Sequence, residues 1–344
     1  MTEDHDTDER ALAETAEAMV HMGKGILAID ESVPTITKRF EALGITSTEE
    51  SRRQYRQLLM GAENLAGSVS GAILHEETLG QSSDDGSTFP EFLAAQGILP
   101  GIKVDIGTRS LAGAPGEKIT EGLDGLDKRV AAFRAAGARF AKWRAVFTIR
   151  DGQPSPWAMR SNADALARYA GVCQEGGLVP IVEPEVLMDG DHDLDTCFAA
   201  TRRVLAEVCA HLVMANVDLR SMVLKPSMVI PGAGGPPASV SEVAGATVRC
   251  LLDTVPAAIP GVAFLSGGQA GEVATAHLDA IARLGPHPWC VTFSYGRALQ
   301  NDPMRVWAGD QGNVAAAGDA LLSRAKANSA AAQGRSEEVL EAST

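Results

Sequence analysis

The stretch Ser221-Met-Val-Leu-Lys225-Pro-Ser-Met-Val-Ile230 is an apolar run interrupted by a single lysine. Buried strands of parallel sheets are near-continuous apolar runs, so this pattern predicts a buried strand that carries Lys225 close to its end. A buried ammonium group must be paired, or else it loses its proton. Because a neutral lysine amine attacks carbonyl groups, the stretch indicates either a structural ion pair or a nucleophile.

Seven further strand-like segments accompany this run, and most of the intervals between them have a helical pattern. The predicted strands are residues 26–29, 69–75, 101–106, 138–147, 178–185, 221–230, 261–265 and 288–293. Helices are predicted at residues 10–22, 48–59, 124–136, 162–175, 193–214, 240–253 and 272–284, with a long helical region that ends near residue 330. Eight strands that alternate with helices predict parallel βαβ units closed into a (β/α)8 TIM barrel.

An open, doubly wound α/β sheet is the competing fold. It would carry a glycine-rich dinucleotide fingerprint directly after the first strand, whereas Gly23-Lys-Gly25 precedes that strand. We therefore predict a single barrel domain over residues 10–330, with an extra N-terminal helix and a C-terminal helical region. Residues 1–9 are expected to be an acidic disordered segment, and residues 331–344 a polar tail.

Composition narrows the class of partner. The chain has 344 residues, of which 45 % are hydrophobic, and a formal net charge of −14. The negative charge argues against nucleic acid or an anionic membrane as the main partner. The five cysteines are odd in number and lack C-x-x-C spacing, which favours reduced thiols in a cytoplasmic protein over disulfides or a zinc site. No signal peptide and no apolar run of about 20 residues is recognisable.

Charged side chains gather where the predicted strands end, which is where barrel enzymes carry their functional residues. A single charge in such a place is ordinarily a solvated strand end or a structural ion pair. Residues two apart on a strand share one face, so each same-strand pair here can point into the barrel mouth together. The set consists of Asp30, Lys103 with Asp105, Lys142 with Arg144, Glu183 with Glu185, and Lys225.

Two interpretations of Lys225 stay open from the residues alone. The neighbouring cations Lys142 and Arg144, together with burial, would lower its pKa and free the amine. Alternatively, Lys225 is ion-paired to Glu183 or Glu185 and inert. The two glutamates are likewise either general acid/base groups or simple counter-charges.

Histidine and metal chemistry have little support in the sequence. His192 in Asp189-Gly-Asp-His-Asp193 is a lone histidine in an acidic turn and is expected to be solvated. No cluster has the spacing of metal ligands, so we expect neither a metal nor another cofactor.

Glycine-rich turns follow the last two predicted strands. Ser266-Gly-Gly268 and Ser294-Tyr-Gly-Arg297 occupy the positions at which many barrels bind phosphate through backbone N–H groups and a helix N-terminus. Arg297 adds a bidentate cation. Lys38 and Arg39 offer a second anion site, with a solvated helix face as the alternative. The residues thus predict a cofactor-free barrel enzyme that forms a Schiff base with a phosphorylated carbonyl compound.

The chain resembles the class I fructose-bisphosphate aldolases over roughly residues 10–334. Among the matching stretches are Gly23-Lys-Gly-Ile-Leu-Ala-Ile-Asp-Glu-Ser32, Phe140-Ala-Lys-Trp-Arg144, Val179-Pro-Ile-Val-Glu-Pro-Glu185, Leu224-Lys-Pro226, Phe264-Leu-Ser-Gly-Gly-Gln269 and Thr292-Phe-Ser-Tyr-Gly-Arg-Ala298. The resemblance implies a TIM barrel, often a homotetramer. It also implies a metal-independent lyase that reversibly cleaves fructose 1,6-bisphosphate to dihydroxyacetone phosphate and glyceraldehyde 3-phosphate.

The resemblance also implies roles for individual residues. Lys225 would form the Schiff base, Glu183 would handle carbinolamine dehydration, and Asp30 would assist proton transfer during C–C cleavage. Lys142 would position and polarise the substrate, with Glu185 and Lys103 close by. The residues expected to bind substrate or phosphate are Lys103, Arg144, Arg39, Arg52, Thr35, Ser266, Gly267, Ser294, Gly296 and Arg297, of which Arg39 and Arg52 would serve the second phosphate.

This sequence departs from the family pattern in two places. Thr35 stands where serine is usual, which keeps the hydroxyl group, and Pro34 stands where a small flexible residue is usual, which predicts a stiffer loop. Well-known animal members end in a tyrosine that assists proton exchange on the enamine, whereas the last tyrosine here is Tyr295, so slower turnover or a substitute donor is expected. The alternatives are a Schiff-base aldolase or transaldolase for another phosphosugar, and a non-catalytic binding protein on the same fold.

Overall fold

A computed structural model describes residues 2–336, with residues 2–9 described by their backbone alone. Met1 and residues 337–344 lie outside it. The backbone of residues 2–9 is helical, which differs from the disorder predicted for residues 1–9. Most of the predicted polar tail at 331–344 lies outside the described residues, so it stays a prediction. The domain bounds of 10–330 likewise stay a prediction.

The helices and strands alternate along most of the chain. The strands are β1 Gly25–Ile29, β2 Val69–Leu74, β3 Leu99–Lys103, β4 Thr108–Ser110, β5 Lys118–Thr120, β6 Phe140–Phe147, β7 Val179–Val186, β8 Val223–Leu224, β9 Gly261–Phe264 and β10 Cys290–Tyr295. The α-helices are α1 Thr2–Met19, α2 Val33–Glu41, α3 Glu49–Met60, α4 Glu76–Leu79, α5 Phe89–Ala95, α6 Leu126–Ala135, α7 Pro156–Glu175, α8 Leu194–Met214, α9 Val240–Thr254, α10 Gly271–Arg283, α11 Arg297–Trp307 and α12 Val314–Ala331.

Eight of these strands form one closed parallel barrel. Its order is β1-β2-β3-β6-β7-β8-β9-β10, and β10 pairs with β1 to close the ring. The predicted TIM-barrel fold is therefore confirmed, and the open doubly wound sheet is excluded. The two remaining strands, β4 and β5, form a small antiparallel sheet of their own.

Three local predictions were wrong in their bounds. The third barrel strand ends at Lys103 rather than residue 106, because the Asp105 carboxylate accepts the Gly107 N–H at 3.1 Å and turns the chain. The strand before Lys225 has only two ladder residues, since Pro226 has no N–H to continue it. The C-terminal helical region is split into α11 and α12 at Ala308, whose φ of 48° is left-handed.

The barrel interior explains where the charged residues lie. Along β1, β6, β7 and β8, the apolar residues of the inner core alternate with residues that pack outward against the helices. Two positions after an inward-facing core residue, the same face of the strand carries a charged residue: Asp30 follows Ala28 in this way, and Lys142 follows Phe140. Glu183 follows Ile181 and Lys225 follows Val223 with the same spacing. Strand alternation therefore delivers these four charges to the mouth of the barrel.

The opposite end of the barrel is closed by α1. Its side chains Leu12, Ala16 and Met19, with Val20 just beyond, belong to the same buried cluster as the interior strand residues. Inside, Phe140 lies across the barrel so closely that a Cβ atom on Gly101 would come within 2.1 Å of its ring. The lower barrel is thus a packed core, and the open mouth holds the polar groups.

All five cysteines are free, and four of them are buried. Over residues 2–336, no helix is both long enough and apolar enough to cross a membrane.

Candidate active site

A cavity of about 410 Å³ opens at the C-terminal mouth of the barrel. It is lined by every residue for which a catalytic or substrate-binding role was predicted, except Arg52 and Lys38. The lining residues predicted from the sequence are Asp30, Thr35, Arg39, Lys103, Asp105, Lys142, Arg144, Glu183, Glu185, Lys225, Ser266, Gly267, Ser294, Gly296 and Arg297. Residues from the ends of seven barrel strands and their following turns thus meet in one pocket.

Four of these side chains form a continuous chain of ion pairs. The Lys225 Nζ atom lies 3.2 Å from Oε1 of Glu183, and Oε2 of Glu183 lies 3.2 Å from Nζ of Lys142. Lys142 in turn donates to Oδ2 of Asp30 at 2.7 Å. The side chains of Lys225, Glu183 and Lys142 are only 4–5 % exposed. Glu183 is therefore the partner of Lys225, and the sequence had left open whether that partner was Glu183 or Glu185.

Burial and charge act in opposite directions on the middle of this chain. Burial disfavours the Lys142 ammonium, but the carboxylates of Asp30 and Glu183 outweigh it and raise the pKa of Lys142. Burial likewise disfavours the Asp30 carboxylate, yet attraction to Lys142 and Lys225 lowers the pKa of Asp30 below its ordinary value. At neutral pH, Lys142 is therefore protonated and the Asp30 carboxyl group is ionised.

Two further ion pairs flank the chain. Arg144, on β6, donates to Glu185 on β7. Burial opposes the charge of Arg144, but Glu185 outweighs it and raises the Arg144 pKa. Lys103 lies 2.8 Å from Oδ1 of Asp105. Asp105 follows β3 rather than belonging to it. The direction of its carboxylate is therefore set by the turn at Gly107, whereas the sequence suggested that strand alternation would set it.

One end of the pocket is suited to an anion. Gly267 and Gly268 have φ values of 60° and 97°, which glycine tolerates, and a Cβ on Gly268 would lie 3.5 Å from the Arg297 guanidinium. The Ser294 hydroxyl is buried without a hydrogen-bond partner among the described residues. Gly296 and Arg297 begin helix α11, whose N-terminal N–H groups favour negative charge.

The other end carries Arg39, which is already engaged. Its guanidinium donates to Glu31 and, at 3.2 Å, to Gln300. Glu31 also forms an ion pair of 2.9 Å with the buried Arg56. Glu31 lines the cavity and was not singled out from the sequence, although its position directly after Asp30 was a usable signal.

Arg52 does not line the cavity. It forms an ion pair with Glu77 and donates to Ser47 at 3.3 Å. The carboxylate of Glu77, 25 positions later in the chain, holds the Arg52 side chain away from the pocket. The spacing of residues in the sequence does not reveal this contact.

The prediction for His192 was wrong. Its ring is buried, with 9 % of the residue exposed, because residues 232–235 pack over the turn that carries it. It lies in a separate cavity and not in the pocket of Lys225. Over the described part of the chain, no group of three or more metal-ligating side chains is placed to hold a metal ion.

None of the three tyrosines reaches the pocket. Tyr55, Tyr169 and Tyr295 are fully buried, and their hydroxyl groups bond to Gln300, to Ala141 and Ile181, and to Ala274 respectively. A proton donor to an enamine would therefore have to be another group.

Fold and site together define an α/β-barrel enzyme with a buried lysine and paired carboxylates at its mouth. A family model described as "Fructose-bisphosphate aldolase class-I" matches residues 11–344. The chain belongs to the class I fructose-bisphosphate aldolase family, whose members are metal-independent lyases.

Individual relatives agree with this assignment. The chain is 54 % identical over 326 residues to a probable fructose-bisphosphate aldolase class 1 of Xanthomonas campestris, covering 94 % of this chain and 98 % of the relative. It is 52 % identical over 314 residues to a cytoplasmic isozyme of fructose-bisphosphate aldolase from Cicer arietinum, covering 91 % and 88 %. A solved structure of the Plasmodium falciparum aldolase superposes with a TM-score of 0.94 at 47 % identity, covering 96 % of each chain.

Proposed function

We propose that this enzyme reversibly cleaves fructose 1,6-bisphosphate to dihydroxyacetone phosphate and glyceraldehyde 3-phosphate through a Schiff base on Lys225. The observation that carries the proposal is the buried chain Lys225–Glu183–Lys142–Asp30 facing one pocket. It supplies a nucleophile, two carboxylates and a fixed cation, each in contact with the next. These are the groups that iminium formation and C–C cleavage require.

Schiff-base formation uses the contact between Lys225 and Glu183. Once its ammonium has transferred a proton, the Lys225 amine attacks the ketone carbon and gives a carbinolamine. Glu183, in contact with the nitrogen, then protonates the hydroxyl, which leaves as water and yields the iminium ion. The 3.2 Å distance between Glu183 and Lys225 allows one carboxylate to serve both proton transfers.

Carbon–carbon cleavage uses Asp30. Its carboxylate accepts the proton of the hydroxyl on the carbon beyond the scissile bond, and the aldehyde forms as that bond breaks. The bonding electrons move into the iminium group and give an enamine, which is then protonated and hydrolysed to release the ketone phosphate. Lys142, held between Asp30 and Glu183, stays charged and orients the hydroxyl groups.

The two ends of the pocket are proposed to hold the two phosphates. Ser266, Gly267, Ser294, Gly296 and Arg297 would bind the phosphate of the ketone half, since this end has a helix N-terminus and an arginine without a partner among the described residues. At the far end, Thr35, Lys103 and Arg39 line the cavity. Arg39 would have to exchange part of its contact with Glu31 for phosphate, so the second phosphate is expected to contribute less binding energy than the first.

Borohydride trapping tests the mechanism directly. Reduction in the presence of dihydroxyacetone phosphate should give one covalent adduct per chain, mapped to Lys225 by peptide mass spectrometry. Lys225→Arg keeps the charge but removes the nucleophile, and should give neither adduct nor cleavage. An adduct on another lysine would refute the assignment, and activity lost on treatment with EDTA would contradict a metal-independent reaction.

The substrate range separates this proposal from aldol chemistry on other phosphosugars. With two anion-binding ends, kcat/KM should be higher for fructose 1,6-bisphosphate than for fructose 1-phosphate. Equal values would favour a monophosphate substrate.

We also propose a cytoplasmic homotetramer. The cytoplasmic isozyme from Cicer arietinum and the five free cysteines support the location. Exposed apolar side chains such as Val213 and Met214 at the end of α8 offer surface for subunit contacts. Cell fractionation and light scattering after size exclusion would test the two parts separately.

A further inference from the structure

A second cavity, of about 800 Å³, lies outside the active-site pocket. It opens between the turn after β6 and the first three turns of α8. Its polar lining consists of Arg150, Asp151, Gln153, Asp191, His192 and Arg203, with Thr196 beside them. The volume is within the range of small-molecule sites, and the proposed aldolase chemistry uses none of these side chains.

Three buried polar atoms without partners belong to residues that line this cavity. Neither ring nitrogen of His192 has a hydrogen-bond partner among the described residues, and the same is true of Oε1 of Gln153. Buried polar groups are nearly always satisfied, and leaving one unpaired costs free energy. Three such atoms on residues of one cavity leave hydrogen bonds for a bound ligand to supply.

The His192 backbone is held rigidly while its ring has no partner. Gly232 donates to the His192 carbonyl at 2.8 Å, and Gly234 donates to the Gly190 carbonyl at 2.8 Å. A Cβ on Gly235 would lie 2.4 Å from the His192 carbonyl oxygen, so the two segments are in direct backbone contact. Burial lowers the pKa of His192 despite the nearby Asp191 and Asp193. A neutral ring presents one donor and one acceptor.

The charges around the cavity suit a ligand with an anionic end and hydroxyl groups. Arg150 and Arg203 are exposed, and neither side chain has an ion-pair or hydrogen-bond partner within residues 10–336. Such arginines can bind phosphate bidentately. Asp151, Asp191 and Gln153 present oxygens that repel an anion but accept hydrogen bonds from hydroxyl groups.

We propose that this cavity is a second binding site, for a phosphorylated sugar or polyol. Arg150 and Arg203 bind its phosphate, while His192, Gln153 and the two carboxylates bind its hydroxyl groups. The site is separate from the Lys225 pocket and requires no covalent chemistry.

Calorimetric titration with sorbitol 6-phosphate tests the proposal, because this probe has no carbonyl group and cannot form a Schiff base. In the full chain carrying Arg297→Ala, which weakens the anion end of the active site, one molecule should still bind per chain. Adding Arg150→Ala and Arg203→Ala should weaken that binding by about tenfold or more. An Arg297→Ala chain that binds no sorbitol 6-phosphate, or an affinity unchanged in the triple variant, would overturn the proposal.

Two further arms identify the chemistry. Inorganic phosphate should bind more weakly than sorbitol 6-phosphate, and sorbitol alone should not bind measurably; equal affinity for inorganic phosphate would overturn recognition of the polyol. His192→Phe keeps a ring without nitrogen atoms and should reduce the rise in Tm that sorbitol 6-phosphate causes. A full rise in that variant would exclude His192 from the site. Arg150→Ala with Arg203→Ala should leave aldolase kcat unchanged, so this proposal and the proposed function can fail independently.

Discussion

The carboxylate of Glu183 lies 3.2 Å from the Nζ atom of Lys225. The same carboxylate is in contact with Lys142, which bonds to Asp30. Glu183 is therefore a shared counter-ion for two buried lysines as well as a group placed to move protons. The sequence left two interpretations of Lys225, an ion pair and a reactive amine. This geometry allows both, because Glu183, the ion-pair partner of Lys225, is also placed to accept its proton.

Replacing Glu183 should affect catalysis far more than replacing Glu185. Glu183→Gln removes the proton carrier beside Lys225 and should lower kcat by about 10²- to 10⁴-fold. Glu185→Gln, a matched change two residues along β7, loses only the contact with Arg144, and should stay within about tenfold of the wild type because Arg144 is partly solvated. Steady-state rates and the rate of borohydride trapping would show the difference, and equal losses would refute the assignment.

Arg297 and Arg52 should differ in their effect on substrate binding, although the sequence placed both at phosphate ends. Arg297→Ala should raise KM for a phosphorylated substrate by roughly ten- to a hundredfold, since a charged hydrogen-bond partner is lost. Arg52→Ala should leave KM within about twofold and lower Tm instead, because Arg52 pairs with Glu77 outside the pocket. A large KM effect in Arg52→Ala would show that the side chain moves into the site.

Asp30 should make stability depend on pH in the acid range. Its pKa in the folded protein is lowered from an ordinary value of 3.8, since the attraction of Lys142 and Lys225 exceeds the effect of burial. A carboxylate with a depressed folded pKa stabilises the fold fully above its unfolded pKa, and loses this contribution as pH falls through the folded pKa. The free energy of unfolding of the wild type relative to Asp30→Asn should therefore rise between about pH 3 and pH 5 and be level above.

Denaturant or thermal unfolding of both proteins over the pH range in which each is folded would measure this. A difference that does not change with pH would contradict the charge of Asp30 being stabilised by its lysine neighbours.

Two glycine substitutions should change stability in opposite directions. Gly101→Ala would place a Cβ atom within 2.1 Å of the Phe140 ring, and should destabilise the barrel by about 1–3 kcal/mol through overpacking. Gly245→Ala lies on an exposed position of α9 with open space around it, and should stabilise by up to about 1 kcal/mol through helix propensity. Differential scanning calorimetry would give both shifts. A stable Gly101→Ala protein would mean that Phe140 has room to move.

Much of the fold and of the site was predictable from the sequence because both follow from local periodicity. Segments such as residues 178–185 have the composition of a strand. Because side chains alternate along a strand, Ile181 and Glu183 lie on the same inward face. The predicted third strand failed at Asp105, where a side chain bonded to its own turn and ended the ladder. The hairpin of β4 and β5 was missed because its strands have only three residues each and leave no measurable period.

What the sequence alone determined is the order of strands and helices, the barrel they form, and the charged residues that alternation brings to its mouth. Only the tertiary structure decided which charged side chains form ion pairs with each other. It paired Glu183 with Lys225, turned Arg52 toward Glu77, and buried His192 beneath residues 232–235. The reason is physical: inward or outward direction is a property of neighbouring residues on one strand, whereas an ion pair or a burial depends on side chains that distant segments bring within a few ångströms.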